Sequence, residues 1–265
     1  MAEQILSVTN LNIAYQGTPA VMDVNFTLER GKVLCIVGES GSGKTTIIRS
    51  LMGLLPVGGE VTEGNIIFNG RNVTNLSNTE WRSLRGKDMA MIFQDSGSAL
   101  DPIQQIGTQF RELFQSHLHM SDKECDAKAI QLLQSVSLSH AAHILHNYPH
   151  ELSGGQRQRV GIAMAMALDP LLLIGDEPTS ALDVTTQSQV IMTMLEKAKE
   201  LNSAILMVTH NLGVAAYMAD YILVMQDGRV VDEGAPQDIL EHPKHPYTKQ
   251  LKDAVPTLEG GRYIE

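Results

Sequence analysis

Eight consecutive residues, Gly38–Glu39–Ser40–Gly41–Ser42–Gly43–Lys44–Thr45, carry the spacing GxxxxGKT. Glycines let a backbone curl until several N–H groups point into one hollow. A helix opening at Thr46 adds positive partial charge at the same place. Such a hollow suits the phosphates of a nucleotide: Lys44 reaches the β- and γ-phosphates and the Thr45 hydroxyl ligates Mg²⁺. The bland alternative is a glycine turn with a chance lysine. It does not explain the buried-strand pattern before the loop or the helical pattern after it. The loop says nothing about what the energy of the nucleotide is used for.

A second group of residues has the chemistry to complete such a site. Asp176 and Glu177 close the apolar run Leu171–Leu172–Leu173–Ile174–Gly175. In a parallel α/β sheet, ligands sit beyond the carboxyl ends of the strands, so the two carboxylates are expected at the edge of the phosphate loop. Asp176 is placed to hold a hydrated Mg²⁺ and Glu177 to polarise an attacking water. Glu177 also reads as a surface acid in a turn before Pro178, but its position directly after a buried strand favours catalysis. Gln94 and His210 likewise end predicted strands. Gln94 offers an amide oxygen to a metal or water, and His210 a ring N–H to a γ-phosphate oxygen. Phosphoryl transfer needs positioning and charge neutralisation more than covalent help, so this set suffices. Tyr15 ends another strand; as a packed aromatic or as a platform for a purine ring, it stays open on spacing alone.

The elements that must hold these residues can be read from apolar periodicity. Ile5–Val8, Leu11–Tyr15 and Val24–Leu28 read as strands, with a turn over Gln16–Gly17–Thr18–Pro19, and together predict an N-terminal antiparallel region. Val33–Val37 reads as a buried strand and Thr46–Leu55 as a helix. Gly58–Gly59 and Gly64 bracket a polar loop before a strand at Asn65–Phe68 and a turn at Asn69–Gly70. Asn78–Leu84 predicts a short helix and Met89–Phe93 a strand ending at Gln94. Residues 102–147 show helical spacing and no strand, with Ser121 as a helix start. Ser153 opens a helix that runs to about Leu168. Strands follow at Leu171–Asp176, Ala204–Thr209, Tyr221–Gln226 and Arg229–Asp232, with helices at 184–201 and 211–219. Alternating α and β segments with wholly apolar strands predict a mostly parallel sheet covered on both faces. His140, His143, His146 and His150 lack a carboxylate or cysteine at ligand spacing and read as solvated.

The chain has 265 residues, 43% of them hydrophobic, enough for one large domain or two subdomains. A net charge of −10 gives no whole-chain footprint for nucleic acid. The two cysteines, Cys35 and Cys125, suggest neither a disulfide framework nor a zinc cluster and fit a reducing compartment. No signal-peptide pattern opens the sequence, and no apolar run approaches the roughly 20 residues of a membrane span. A membrane role is therefore expected to come through a partner.

With these residues in place, Leu152–Ser153–Gly154–Gly155–Gln156 resembles the signature sequence of ABC ATPases. Ser180–Ala181–Leu182–Asp183 resembles that family's D-loop, Gln94 its Q-loop, His210 its switch histidine and Tyr15 its adenine-stacking aromatic. The resemblance covers almost the whole chain. It implies a P-loop NTPase core over 1–94 and 169–240, a helical signature subdomain over 95–168 and a tail over 241–265. It also implies ATP as the nucleotide, with Mg²⁺, and two subunits packed head to tail. In each site Tyr15, the loop from Gly38, Glu39, Ser40, Gly41, Ser42 and Gly43 through Lys44, Thr45 and Thr46, with Gln94, Asp176, Glu177 and His210, would come from one chain. Ser153, Gly154, Gly155 and Gln156 would come from its partner.

Within the family, Asp95–Pro102, Tyr148–Glu151 and the tail His242–Pro243–Lys244–His245–Pro246–Tyr247–Thr248 are similar to the oligopeptide, dipeptide and nickel importers. That implies a second, usually different, ATPase chain, two membrane permeases and an external binding protein, with this chain on the cytoplasmic face of the membrane. The permease contact is expected around Asp95–Leu100 and Tyr148–Glu151. The absence of a cysteine-bearing extension after the His–Pro–Tyr element leans the substrate towards nickel or a metal complex. Rival readings are a soluble ABC ATPase of nucleic-acid repair or translation, an exporter subunit, and a GTPase or kinase sharing only the phosphate loop. The single short cassette, the His–Pro–Tyr tail and the signature sequence argue against them in turn.

Overall fold

The computed structural model describes residues 3–94, 99–179, 182–254, 257–258 and 261–262. The chain opens with β1 (Gln4–Tyr15), β2 (Thr18–Glu29), β3 (Val33–Val37) and α1 (Lys44–Leu51). Then come β4 (Gly59–Phe68), β5 (Arg71–Asn72), α2 (Asn78–Leu84) and β6 (Met89–Ile92). A helical stretch follows: α3 (Ile106–His117), α4 (Asp122–Ser135), α5 (Ala141–Ile144) and α6 (Gly154–Ala165). Next are β7 (Leu172–Asp176), α7 (Val184–Leu201), β8 (Ala204–Thr209) and α8 (Leu212–Met218). β9 (Tyr221–Gln226), β10 (Arg229–Gly234) and α9 (Pro236–Glu241) lead into the tail, which holds α10 (Pro246–Asp253). Residues 1–82 with 204–265 form one compact unit and residues 83–203 another. Among the described residues no helix is long and apolar enough to cross a membrane.

The first unit holds an antiparallel sheet in the order β2-β1-β4-β5 and the strands β10-β9-β3-β8. β3 is buried at every residue and runs parallel to both β8 and β9. Its last residue, Val37, pairs with Thr209, the last of β8, and with Val224 inside β9, so two strand ends meet beside β9 where the phosphate loop begins. Two of the differences from the sequence expectation share one reason: strand bulges use the residues that turns use. Ile5–Val8 and Leu11–Tyr15 are a single strand that bulges at Asn10, whose φ is 50°. The expected loop across Gly59 and Gly64 is the first part of β4. Gly64 faces the Asn10 bulge at a φ of 100°, where a Cβ would lie 2.4 Å from the Asn10 carbonyl oxygen. The expected four-residue turn shrinks to Gln16–Gly17, because Thr18 and Pro19 already pair with Tyr15 and Ala14.

In the second unit β6 and β7 pair in parallel, with Ile92 opposite Gly175. The stretch 102–147 is helical, as its periodicity predicts. Ser121 opens α4 with a reciprocal cap in which its N–H donates to Glu124 Oε2 at 2.8 Å. α3 and α4 are tied by Arg111, which donates to both oxygens of Asp126 at 2.7 and 2.6 Å. Phe110 and Phe114, fully buried, stack at 6.0 Å inside this helical cluster. His140, His143, His146 and His150 are all exposed, and no group of metal-binding side chains occurs among the described residues.

Candidate functional site

The phosphate loop is a cradle closed around its own lysine. Gly38 cannot be replaced without a clash: a Cβ there would sit 2.2 Å from the Met225 carbonyl oxygen. Gly41 and Gly43 take φ values of 84° and 101°, which side-chain-bearing residues rarely adopt. Gly43 is also the N-cap of α1, and no side chain caps that helix end. Lys44 is 5% exposed, and its Nζ donates to the carbonyl oxygens of Gly38 at 2.8 Å and Glu39 at 2.6 Å. The loop thus presents a helix N-terminus and a folded-back ammonium group, the two features that attract an anion. Glu39 and Ser40 are exposed, Ser42 is buried, and Thr45 and Thr46 are half-buried at the start of α1.

Two more expected residues join the loop inside the first unit. The Tyr15 hydroxyl lies 3.4 Å from Thr46 Oγ1, and its ring lies so close to Gly59 that a Cβ there would be 2.5 Å away. Half-buried Tyr15 is therefore fixed beside the phosphate helix. His210 is exposed and directly follows Thr209, the register partner of Val37, so it lies at the strand edge from which the loop departs.

The second unit brings Gln94, Asp176 and Glu177 to one strand edge. Gln94 is two residues beyond Ile92 and Glu177 two beyond Gly175, the parallel partner of Ile92. Asp176 is 6% exposed, and Glu177 is half-buried with a φ of 47°, a backbone state uncommon outside glycine. Gln158, absent from the sequence expectations, anchors both segments. Its buried amide donates to the Phe93 carbonyl oxygen at 3.3 Å and to that of Pro178. The signal available in the sequence was a polar residue on the apolar face of the signature helix, two residues past Gln156.

The signature segment itself is built as a helix start. Ser153 Oγ accepts from the Gln156 N–H at 3.3 Å, and the Ser153 N–H donates to Gln156 Oε1 at 2.8 Å. Gly154 faces open space, with nothing within 4 Å of a Cβ built on it; a Cβ on Gly155 would meet Leu182 at 3.3 Å. Asp183 caps α7: it accepts from Thr186 Oγ1 at 2.7 Å and from the Thr186 N–H at 3.0 Å, and these bonds hold its carboxyl below the ordinary range. Asp95–Ser98, Ser180 and Ala181 lie outside the described residues, so the expected permease contact at Asp95–Leu100 and the D-loop-like segment are described only in part.

A glycine cradle for phosphates, an acidic pair at a buried strand end and a glycine-led helix start define a nucleotide-hydrolysing cassette. The chain belongs to the ABC transporter family, whose model matches residues 21–180. It is 46% identical over 261 residues to the oligopeptide transport ATP-binding protein OppD of Haemophilus influenzae, covering 97% of this chain and 80% of that one. It is 44% identical over 262 residues to the dipeptide transport ATP-binding protein DppD of Lactococcus lactis subsp. cremoris, covering 97% and 75%. The ATP-binding cassette MJ0796, solved as a dimer in a post-hydrolysis state bound to ADP and Pi, superposes with a TM-score of 0.79 at 26% identity, covering 88% of this chain and 99% of that one. The fold is that of a P-loop NTPase with an N-terminal antiparallel sheet and an inserted helical segment, and the activity is ATP hydrolysis.

Proposed function

We propose that the chain is the ATP-hydrolysing subunit of a peptide importer and works as one half of a head-to-tail pair. The observation that carries the substrate class is the 46% and 44% identity, over 97% of the chain, to ATP-binding proteins of oligopeptide and dipeptide transport. The lean towards nickel drawn from the tail has no such support. The dimer finds its support in the cassette solved as a pair and in Gly154, where nothing of this chain lies within 4 Å of a built Cβ.

In this reading Lys44 exchanges the carbonyl oxygens of its own loop for phosphate oxygens. Tyr15 supports the adenine ring. Glu177 orients and polarises the attacking water, while Gln94 and His210 hold the water and the γ-phosphate in line. Magnesium fits the donor set, since the Thr45 hydroxyl, the buried Asp176 carboxylate and the Gln94 amide are hard oxygen ligands. When bound, the ion supplies neutralisation of phosphate charge. Ser153, Gly155 and Gln156 act on the partner's nucleotide. The core over 1–94 and 169–240 binds ATP and the segment 95–168 passes closure to two permeases. The chain sits peripherally on the cytoplasmic face and an external protein delivers the substrate.

The test is co-purification with the permeases and the binding protein, followed by ATPase measurement with added oligopeptide, dipeptide or nickel complex. Stimulation by peptide is expected. Stimulation by the nickel complex alone overturns the peptide assignment.

A further inference from the structure

The His–Pro–Tyr segment packs against the phosphate loop, which gives it a task beyond marking a family. Tyr247 is 5% exposed, and its phenol oxygen accepts a hydrogen bond of 2.7 Å from the N–H of Glu39, inside the phosphate loop. That N–H belongs to the peptide unit whose carbonyl oxygen, on Gly38, accepts from Lys44 Nζ at 2.8 Å. One peptide plane is therefore held at both ends, by the tail's phenol and by the lysine that is to meet the phosphates. Hydrogen bonds in such a chain strengthen one another.

The tail is itself fixed. Asp232 at the end of the core, 5% exposed, accepts from the N–H groups of Lys244 at 2.8 Å and His245 at 3.1 Å. His245 Nδ1 then accepts from the Tyr247 N–H at 3.2 Å and caps α10, with Pro246 at its first position. Burial opposes ionisation of Asp232, but the His245 and Lys244 N–H donors outweigh it and hold the carboxyl below its ordinary value. Burial likewise pushes the Tyr247 phenol up, so at neutral pH the group is a hydroxyl.

We propose that Tyr247 is a positioning residue for ATP binding: its hydroxyl fixes the Gly38–Glu39 peptide so that the loop is already shaped when Lys44 leaves its carbonyls for phosphate. The proposal rests on the reading of Gly38–Thr45 as the ATP phosphate site. Removing the hydroxyl lets that peptide rotate, and ordering it again is charged against the ligand.

The experiment measures ATP affinity by calorimetry on the full chain, with Lys44→Ala, Tyr247→Phe and Tyr247→Leu alongside the parent. One neutral hydrogen bond corresponds to about three- to tenfold in Kd, and that weakening is expected for both Tyr247 variants. The nucleotide-free melting temperature of Tyr247→Phe is expected to stay near the parent's, while amide exchange accelerates in the segment 38–44 alone. Parental affinity in Tyr247→Phe overturns the proposal, and so does a weakening accompanied by faster exchange throughout the first unit. Lys44→Ala separates the two levels: if it binds ATP normally, the phosphate-site reading itself fails.

Discussion

The chain contains two glycine-rich segments that lead into helices, Gly38–Thr45 before α1 and Leu152–Gln156 before α6, and they are built in opposite ways. In the first, Gly41 and Gly43 take φ values of 84° and 101°, no side chain caps the helix, and the lysine folds back onto the loop. In the second, neither glycine has a positive φ, and Ser153 and Gln156 close a capping box. The first needs glycine to fold into its shape. The second folds like any well-capped helix, so Gly154, which faces open space, matters for what can approach it. A cradle that only glycine can form and an ordinary helix start with an open position at Gly154 are the two halves that the proposed head-to-tail pair would bring to one nucleotide.

The largest expected effect belongs to Glu177, which in the proposed function polarises the attacking water once both halves have closed on ATP. Glu177→Gln keeps the shape and removes the proposed base, so turnover should fall by about 10²–10⁴-fold while ATP stays bound. Size-exclusion chromatography with light scattering should then show a nucleotide-dependent dimer. Brisk hydrolysis by this variant would remove Glu177 from the mechanism.

A smaller effect tests the comparison directly. Gly43→Ala forces a side chain into a positive-φ position, where its Cβ would be 2.9 Å from the Ala20 carbonyl oxygen, and should destabilise the chain by about 2 kcal/mol. Gly154→Ala meets open space and should leave the denaturation midpoint unchanged or raise stability by up to about 1 kcal/mol. Equal losses in urea titrations of the two variants would erase the distinction drawn between the segments.

The smallest effect concerns the tail that steadies the first segment. Asp232 titrates below its ordinary value of 3.8, so its stabilisation is in full force above 3.8 and drains away as the pH falls through the lower folded value. Asp232→Asn should cost about 1–2 kcal/mol at pH 7, and the gap from the parent should narrow on acidification below pH 4. A gap that does not change with pH would mean that the ionised form is not the anchor.

Much of this was legible because it is local. The phosphate loop, the acidic pair after a buried strand and the Ser121 and Ser153 helix starts each lie within a few residues of sequence. What was not legible depends on distant pairing. Asn10 and Gly64 looked like loop residues because a bulge uses the same residue types as a turn, and only the register of β1 with β4 tells them apart. Gln158 gained its role from carbonyls 65 and 20 residues away. Tyr247 meets Glu39 across 208 positions, a separation at which no periodicity or spacing carries information.

In the proposed pair the second segment serves a nucleotide held by another molecule. Ser153→Arg places bulk and charge at the bare helix start while leaving the phosphate loop untouched. The decisive measurement is ATP binding by the isolated variant beside ATP hydrolysis by the variant in its assembled transporter. Binding is expected within about twofold of the parent and hydrolysis reduced by about a hundredfold or more, the loss of several charge-assisted hydrogen bonds in the closed state. Loss of ATP binding in the isolated chain, of the size that Lys44→Ala produces, would contradict it and put both segments on the same nucleotide.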